Sequence, residues 1–299
     1  MTAAGLTTTQ SSFIADAQSS GQLYVQQPYH LYSEDNHAAW RGLHRMMEPR
    51  WRRYANRHFL HGLDALSLDP ARVPRLSDVN RFLHPLTGFQ AKAVAGYVPA
   101  FVFFDCLRNR TFPTTITIRS GDRLDYLPEP DIFHDIAGHV PMHTDPQFAE
   151  TLVRFGDCAH TAAEVVAGIR DPETRLHSLT SAIRALARFF WFTVEFGLMR
   201  EGNELKAYGS GLLSSYGELA HALESPRVQR YPIQLEWAIN QGFEINHYQP
   251  LLFIVDSFDH LYSLVDELAK WMKQGKLLNT APGEPAVNEQ DLESFLRRG

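Results

Sequence analysis

The sequence predicts a mainly α-helical protein with a small β element. Apolar residues recur at helical spacing through most of the chain, whereas a single run, 113–127, alternates β-branched and polar residues. The chain has 299 residues, 44% of them hydrophobic and 21% charged, and it shows no repeat and no internal linker. A chain of this length can bury one large core, so we expect one domain.

The N-terminal half is expected to begin with a disordered tail over residues 1–24, which are rich in Ser, Thr and Gln. Helical spacing over 37–66, interrupted by Pro49, predicts two helices that meet at the proline. A further helix is predicted around 79–83. The alternating run 113–127 predicts a hairpin with its turn at Ser120, Gly121 and Asp122.

The C-terminal half is predicted to be almost wholly helical. Its helices are expected over 146–159, 162–169, 178–199 and 255–274, and the Gly- and Ser-rich segment 207–219 is expected to form a loop or short strand. These patterns predict one folded domain over 25–275 and a C-terminal tail over 276–299 with a possible short helix.

Composition and charge argue against several classes of protein. The net charge is −6, and the densest basic run, 50–57, contains large apolar residues, which favours a solvated helix face over a nucleic-acid site. Two cysteines cannot build a disulfide framework. Residues 1–22 lack the features of a signal peptide, and no apolar run is long enough to span a bilayer. We therefore expect a cytoplasmic protein with no nucleic-acid or membrane partner.

The segment 128-PEPDIFHDIAGHVPMHTDPQFAE-150 concentrates histidines around one glycine. On a regular α-helix His134 and His139 would point about 140° apart. A helix distorted near Gly138 and Pro141 would let both imidazoles reach one cation. His143 is interpreted as a surface residue. Because the chain has 14 histidines, a coincidental pair remains open, and the spacing is not that of the HExxH zinc motif.

A third ligand is suggested by 189-FFWFTVEFGL-198, in which Glu195 is the one ionisable residue. A carboxylate in an apolar helix must be protonated, paired with a cation such as Arg184 or Arg188, or bound to a metal. Trp191 lies one helical turn earlier and would form a wall beside it. Two histidines and one carboxylate suit non-haem Fe(II) and oxygen chemistry, but zinc uses the same ligand types.

Three segments, PEPDIFHDIAGHVPM, WFTVEFGL and AYGSGLLSS, together resemble the motifs of the pterin-dependent aromatic amino acid hydroxylases, over about residues 25–265. The resemblance implies the single catalytic domain of that family, with Fe(II) held by His134, His139 and Glu195. It also implies that Fe(II) and a tetrahydropterin activate O2 and that L-phenylalanine is converted to L-tyrosine.

The same resemblance implies roles for residues around the metal. Arg119 would hold the substrate carboxylate, and Asp131 would orient Arg119. Asp135 would order water near the pterin or the iron. The remaining matches form the substrate ring pocket (Pro130 and Trp191), support His134 and the substrate backbone (Gly211 and Ser214), and bind the pterin (Gly96, Val98 and the stacking ring of Phe103).

Departures from the family pattern limit these expectations. Leu127 stands where animal members have a hydroxyl residue, and Phe190 replaces the usual Tyr. No segment corresponds to the regulatory domain or tetramerisation helix of animal members, so a monomer or weak homodimer is expected. Ile245 in 243-FEINHYQP-250 weakly favours an unsubstituted ring. Tryptophan or tyrosine hydroxylation stays an alternative within the family, and a zinc hydrolase with the same ligands is the alternative outside it.

Overall fold

A computed structural model describes residues 5–7, 12–19, 21–122, 124, 130–287, 289 and 292–293. Helices dominate it, as predicted. The helices are α1 (Ser12–Ser19), α2 (Glu34–Tyr54), α3 (Arg57–Leu66), α4 (Leu76–Thr87), α5 (Ala100–Arg108), α6 (Val140–His143), α7 (Pro146–Ala167), α8 (Pro172–Phe190), α9 (Ser210–Leu213), α10 (Tyr216–Glu224), α11 (Leu235–Asn240) and α12 (Phe258–Lys273). A 3-10 turn covers Tyr29–Leu31, and two π-helical turns cover Phe133–His139 and Trp191–Glu195.

Two small sheets complete the described fold. Strands β1 (Gln90–Val94) and β2 (Thr111–Thr115) pair in parallel, and α5 crosses between them. The second sheet has the order β4-β3-β6-β5. Its hairpin joins β3 (Leu198–Glu201) to β4 (Glu204–Ala207), while β6 (Leu251–Val255) runs parallel to both β3 and β5 (Gln229–Pro232).

The predicted hairpin over 113–127 is wrong over the residues that the structure describes. Strand β2 pairs with the upstream strand β1, with Gln90 opposite Thr111, and residues 116–120 that follow it form no strand. A turn is present at Gly121 and Asp122, but 123 and 125–129 lie outside the described residues. Four successive residues of β2 are buried, which is the burial of a parallel strand covered on both faces, so alternation in sequence did not indicate a hairpin.

The helix break predicted at Pro49 is wrong in position, because the first helix ends at Tyr54. Pro49 lies inside α2, which continues to Tyr54 and ends where Ala55 becomes extended and bridges to Ala207. Asn56 then caps α3, because its side-chain Oδ1 accepts the N–H of His58 at 2.8 Å. The end of the helix is therefore set by a contact with β4, about 150 residues further along the chain.

The later helices also differ in extent from the predictions. Residues predicted as two helices between 146 and 169 form the single helix α7, which starts at the capping carboxylate of Asp145. The helix predicted over 178–199 ends at Phe190, followed by the second π-helical turn and then β3. Residues 207–219 contain the short helix α9 and the start of α10. Only the tail helix, α12, agrees closely with its prediction.

Helix α7 lies at the centre of the core and packs against α5, α8 and α12. Its Phe155 is fully buried and stacks on Phe104 of α5 at an interplanar angle of 12°. Phe155 also meets Phe189 and Phe190, whose ring centroids are 5.8 and 5.3 Å away. This aromatic cluster fixes the end of α8, and with it the start of the turn that carries Glu195.

Described residues near both ends of the chain contact the rest of the domain, and the tail boundaries at residues 24 and 276 stay predictions. The N–H of Leu6 donates to the side-chain oxygen of Asn36 at 3.0 Å, its carbonyl accepts from Ile118 at 2.8 Å, and its side chain is buried. Near the other end, Leu277 and Leu292 are buried. Among the described residues, no helix is both long and apolar enough to cross a membrane.

Candidate active site

A π-helical turn brings the two histidines onto one face. The hydrogen bond that defines this turn runs from an N–H to the carbonyl five residues earlier, as from Val140 to Asp135, so residues five apart lie close together on one face, as residues four apart do in an α-helix. His134 and His139 are five apart, and their Nε2 atoms lie 3.1 Å from each other. Pro141 has no N–H to continue the pattern, and α6 begins at Val140. The predicted distortion is therefore a π-helical turn.

The second π-helical turn directs Glu195 at this pair. The N–H of Phe196 donates to the carbonyl of Trp191 at 2.9 Å, again five residues back. Glu195 Oε1 lies 3.1 Å from His139 Nε2, and Glu195 Oε2 lies 3.6 Å from His134 Nε2. Among the described residues, these three form the one cluster of His, Cys, Asp or Glu with metal-binding geometry.

The donor set fits a metal ion. Ligand atoms bound at right angles to one cation at about 2.1 Å lie about 3 Å apart, close to the three distances between these side chains. All three ligands sit on one side of that position, which is the facial arrangement of two histidines and one carboxylate. Side-chain exposures of 17% for His134 and 15% for Glu195 leave the open side within reach of solvent and small molecules.

Two serines of the segment 207–215 fix the ligands. Ser214 Oγ has a single proton, which it donates to the carbonyl of Ser210 at 2.9 Å. It therefore accepts a hydrogen bond from Nδ1 of His134 at 2.8 Å, which leaves Nε2 of His134 unprotonated and able to bind a metal. Ser210 Oγ contacts His139 Nε2 at 3.0 Å and Glu195 Oε2 at 3.2 Å.

The electrostatics put two of the ligands in their metal-binding forms. Burial, followed by the charge of His139, lowers the pKa of His134 to about 4, so this imidazole is neutral at pH 7. Burial by itself would raise the pKa of Glu195, but the neighbouring histidines and Ser210 outweigh it and lower that pKa to about 2. A neutral imidazole and a carboxylate anion are the states that coordinate a cation.

The alternative of a salt bridge between Glu195 and an arginine of α8 is wrong for the described residues, in which Glu195 pairs with the two histidines. Arg188 is fully buried and donates instead to main-chain carbonyls, including those of Ala281 at 2.7 Å and Glu284 at 2.8 Å. The guanidinium thus fastens the segment that follows α12 to α8. Its partners are far along the chain, which is why the sequence did not reveal them.

Arg119 and Asp131 form a buried two-point ion pair next to the first histidine. Arg119 Nε and Nη2 donate to the two carboxylate oxygens of Asp131 at 2.8 and 3.0 Å, and both side chains are under 5% exposed. Arg119 favours the charged form of Asp131, whose pKa is lowered in spite of burial. Asp131 Oδ1 also accepts the N–H of His134 at 2.9 Å, so one carboxylate links the arginine to the metal-binding turn.

Trp191 lies at the start of the second π-helical turn and is half-buried. Its indole is parallel to the ring of Phe243, with centroids 4.0 Å apart and an interplanar angle of 4°, and it tilts against Phe196 at 4.5 Å. Its Nε1 donates to the side-chain oxygen of Gln249 at 3.1 Å. The indole is therefore held by contacts from two segments of the chain, and its role as a wall beside the metal stays a prediction.

The remaining substrate-side candidates have varied surroundings. Gly211 is buried in α9, and a Cβ there would lie 2.6 Å from the Phe196 ring, so its evident role is to allow close packing. Pro130 is exposed just before the first π-helical turn. Ile245 is 42% exposed on the loop before β6. Leu127 lies outside the described residues.

The pterin candidates gather around the end of β1 and the start of α5. Gly96 has a φ of +103° and Val98 is half-buried in the connecting loop. Phe103 on α5 meets Phe112 at a centroid distance of 6.1 Å, and Phe112 in turn lies 4.8 Å from His139. Phe103 also makes an edge contact with Phe190, which is 7% exposed.

Asp135 lies on the metal-binding turn and is 5% exposed. Its Oδ2 accepts the N–H of Thr115 at the end of β2, at 2.6 Å. Burial raises the pKa of Asp135 to about 7, against the lowering effects of His139 and Thr115. This carboxyl therefore joins the β1-β2 sheet to the metal centre.

Several site residues were missed or misread from sequence. The surface interpretation of His143 is wrong, because its ring is fully buried between Phe89 and Phe112, at centroid distances of 5.2 and 4.7 Å. Ser210 and Gln249 were not selected. Ser210 precedes the selected Gly211 in a Gly- and Ser-rich segment, so a signal for it existed. Gln249 follows the loop 243–248, and no local sequence pattern distinguishes this residue.

Among the described residues, a helical fold carries a facial cluster of two histidines and a carboxylate beside aromatic rings, which is the donor set that suits a metal-dependent enzyme of the non-haem iron type. The chain matches the family model for biopterin-dependent aromatic amino acid hydroxylases over residues 9–288. The chain belongs to this family.

Relatives of known name agree with this membership. Phenylalanine-4-hydroxylase of Ralstonia nicotianae is 37% identical over 238 residues, which is 80% of this chain and 71% of that protein. A crystal structure of a variant of phenylalanine hydroxylase from Chromobacterium violaceum superimposes with a TM-score of 0.77 at 34% identity, over 87% of this chain and 88% of that one. The iron- and phenylalanine-bound crystal structure of the C. violaceum enzyme gives 0.74 at 32% identity, over 87% and 89%.

Proposed function

We propose that this protein hydroxylates L-phenylalanine to L-tyrosine with O2, using Fe(II) and a tetrahydropterin. The observation that carries the proposal is the facial cluster of His134, His139 and Glu195, in a chain of the biopterin-dependent family. Its named relatives are phenylalanine-4-hydroxylases. Fe(II) bound by this cluster, together with the pterin, would supply the activation of O2.

The residues of the chain would orient the substrate and set the charge of the site. Arg119, held by Asp131, would bind the amino acid carboxylate, since a guanidinium is suited to two-point contact with a carboxylate. Because Asp131 also accepts the His134 N–H, the distance from the carboxylate site to the metal would be fixed. Trp191 and Pro130 would enclose the ring, and Ser214 and Gly211 would support His134 and the substrate backbone.

The pterin is proposed to lie between the β1-α5 loop and the metal. Phe103 would stack on its ring, and main-chain groups of Gly96 and Val98 would contact its edge. The contacts from Phe103 to Phe112 and from Phe112 to His139 support this location, because only the ring of Phe112 lies between the stacking ring and a metal ligand along this path. Asp135 would order water between pterin and metal.

The test is an assay of metal-stripped protein reconstituted with Fe(II) or with Zn(II), in the presence of tetrahydropterin and O2. Phenylalanine, tyrosine and tryptophan are supplied in parallel, and the products are separated by chromatography. We expect tyrosine from phenylalanine with Fe(II) and no product with Zn(II), because oxygen reduction needs a redox-active metal. Activity restored equally by zinc, or a product formed only from tryptophan or tyrosine, would contradict the proposal.

The sequence also supports a proposal for the organisation of the chain. We propose a catalytic domain over residues 25–275, a range that lies within the family match over residues 9–288. A monomer or weak homodimer is proposed from the sequence. A cytoplasmic location is proposed because Cys106 and Cys158 are both free and buried, as in a reducing compartment.

A further inference from the structure

Gln249 bridges Trp191 and the loop 243–248, which precedes β6. Gln249 is buried, with only 3% of the residue exposed. The side-chain oxygen accepts the indole N–H of Trp191 at 3.1 Å, and the side-chain nitrogen donates to the carbonyls of Glu244 at 2.8 Å and His247 at 3.2 Å. One amide thus joins the π-helical turn of Glu195 to the loop.

The chemistry of these partners requires an amide at position 249. An indole nitrogen can only donate, and a main-chain carbonyl can only accept. The bridging side chain must therefore present one acceptor on one side and two N–H donors on the other. Glutamine meets this demand, whereas a carboxylate would place an oxygen against two carbonyls and an apolar side chain would leave all three groups without this partner.

The main chain of Gln249 is fixed from a third direction. Its N–H donates to Oε1 of Glu218 at 2.7 Å, and Glu218 is a buried residue of α10. The neighbouring Tyr248 packs on His221 of the same helix, with ring centroids 5.5 Å apart. Helix α10 directly follows the segment that carries Ser210 and Ser214, so Gln249 is anchored to the frame that holds the metal ligands.

This bridge sets where two aromatic rings stand. Trp191 is four residues before Glu195 on the same turn, and Phe243 at the start of the loop lies parallel to the indole at 4.0 Å. Without the bridge, Trp191 would stay on the turn, but its indole N–H would lose the acceptor that fixes its orientation. The carbonyls of Glu244 and His247 in the loop would lose the two N–H donors of Gln249.

We propose that Gln249 is a positioning residue for the aromatic substrate: it locks Trp191 and the loop 243–248 into one rigid wall beside the metal. The inference rests on the proposed function, since it concerns the same pocket. It assigns Gln249 no contact with the reacting atoms. Gln249 would hold the indole of Trp191 in the orientation in which it contacts the substrate ring.

The test compares Gln249→Leu and Gln249→Glu with the parent enzyme loaded with Fe(II). We expect the phenylalanine KM to rise about tenfold, and tyrosine formed per pterin oxidised to fall, because a loosely held ring is misplaced relative to the oxidant. The pterin KM and Fe(II) affinity should change less than about twofold, since neither group contacts the bridge. Gln249→Glu keeps the acceptor for Trp191, so a defect as large as that of Gln249→Leu would identify the loop donors as the essential part.

Gln241→Leu is the matched control. Gln241 accepts the indole N–H of Trp237 at 3.0 Å, the same kind of bond at the other end of the loop, but it has no bond to Trp191. We expect its phenylalanine KM and coupling to match those of the parent. In a double-mutant cycle, Gln249→Leu should cost less in a Trp191→Phe background, which already lacks the N–H.

Hydrogen exchange gives a readout that does not depend on substrate. Amides of 243–248 should exchange faster in Gln249→Leu than in the parent or in Gln241→Leu. If exchange is faster in Gln249→Leu but the parent does not hydroxylate phenylalanine, the bridge is supported and the proposed function is contradicted. Unchanged exchange together with unchanged phenylalanine KM and coupling would overturn the positioning role and leave the proposed function intact.

Discussion

At the scale of single residues, Glu195 supplies the one carboxylate of the three side chains that could hold a metal ion among the described residues. Its carboxylate stands 3.1 Å from Nε2 of His139 and is held anionic by its neighbours, with a pKa lowered to about 2. The helix end around it is apolar and is fixed by packing of Phe189 and Phe190 against α7. Loss of the negative charge should therefore affect the metal far more than the fold.

We predict that Glu195→Gln lowers Fe(II) affinity more than about 100-fold, since even indirect partners of metal ligands contribute 10- to 100-fold. Hydroxylation should be lost. At an Fe(II) concentration 100 times the parent's Kd, the parent should gain about 2.7 kcal/mol of stability from the metal, and the variant should gain less than about 0.4 kcal/mol. Calorimetry and thermal unfolding with and without Fe(II) test this, with Glu164→Gln on the exposed face of α7 as control. Full coupled turnover in Glu195→Gln would show that the third ligand is wrongly assigned.

Arg119 is the residue that we propose binds the carboxylate of an amino acid substrate. The residue is 5% exposed and shares the two-point ion pair with Asp131. A lysine at this position keeps the charge but cannot reproduce the planar two-point contact. Because the partner carboxylates would be left imperfectly matched, binding of the substrate carboxylate should weaken.

We predict that Arg119→Lys raises the phenylalanine KM about tenfold or more, a factor that corresponds to about 1.4 kcal/mol. Phenethylamine, which lacks the carboxylate, should be a poor substrate for the parent and should be affected little further by the substitution. Arg41→Lys at an exposed pair with Glu34 serves as control. Steady-state kinetics with both substrates test this prediction. An unchanged phenylalanine KM would show that Arg119 does not bind the substrate carboxylate.

At the scale of elements, the two π-helical turns and α9 form one unit. The turns supply the three candidate ligands, and α9 with its C-cap residue Ser214 supplies the two serines that contact them. Gly138 lies between the two histidine ligands, and a Cβ at this position would be 3.0 Å from the carbonyl of Ser210 and 3.1 Å from Cβ of Ser214. A side chain here would push α9 away from the first turn.

We predict that Gly138→Ala destabilises the protein by about 1–3 kcal/mol, the usual cost of overpacking, and weakens Fe(II) binding as well. Gly168→Ala at the end of α7 is the control, because a Cβ there meets nothing within 4 Å and the backbone is already helical, with φ of −75°. The control should be neutral or slightly stabilising. Equal stability and equal iron affinity for the two variants would mean that α9 tolerates displacement. Thermal unfolding and Fe(II) titration give both quantities.

At the scale of the whole molecule, buried ionisable groups make the stability depend on pH. Glu218 is 1% exposed, and burial raises its pKa from 4.5 to about 7. The folded state thus keeps a proton that the unfolded state loses above pH 4.5. Its contribution to stability is therefore greatest at low pH and declines as the pH rises from about 4.5 to about 7.

We predict that the stability of the parent relative to Glu218→Gln falls by up to about 3 kcal/mol between pH 5 and pH 8, because the amide does not titrate. Denaturant unfolding of both proteins across this range measures the difference, in which all other titrating groups cancel. The glutamine keeps an acceptor for the N–H of Gln249, so the fold should be retained. Parallel pH profiles would show that Glu218 does not titrate in this range.

The sequence by itself determined the chemistry of the site and the helical character of the chain. Glu195 is recognisable because an ionisable group in an apolar segment must be paired, protonated or bound to a metal, whereas His134 and His139 were assigned through the resemblance of their segment to the family motif. The amphipathic period of α12 marks its buried face directly. Such signals are local, since they depend on residues within a few turns of each other.

Only the tertiary structure decided how these residues meet. The break after Tyr54 depends on Ala207, the pairing of β2 depends on β1, and the wall at Trp191 depends on Gln249, 58 residues away. The choice of π-helical over α-helical turns likewise places His134 and His139 on one face although an ideal helix separates them. Local periodicity predicts that a residue is buried. Which residues it contacts depends on the free energy of packing the whole chain.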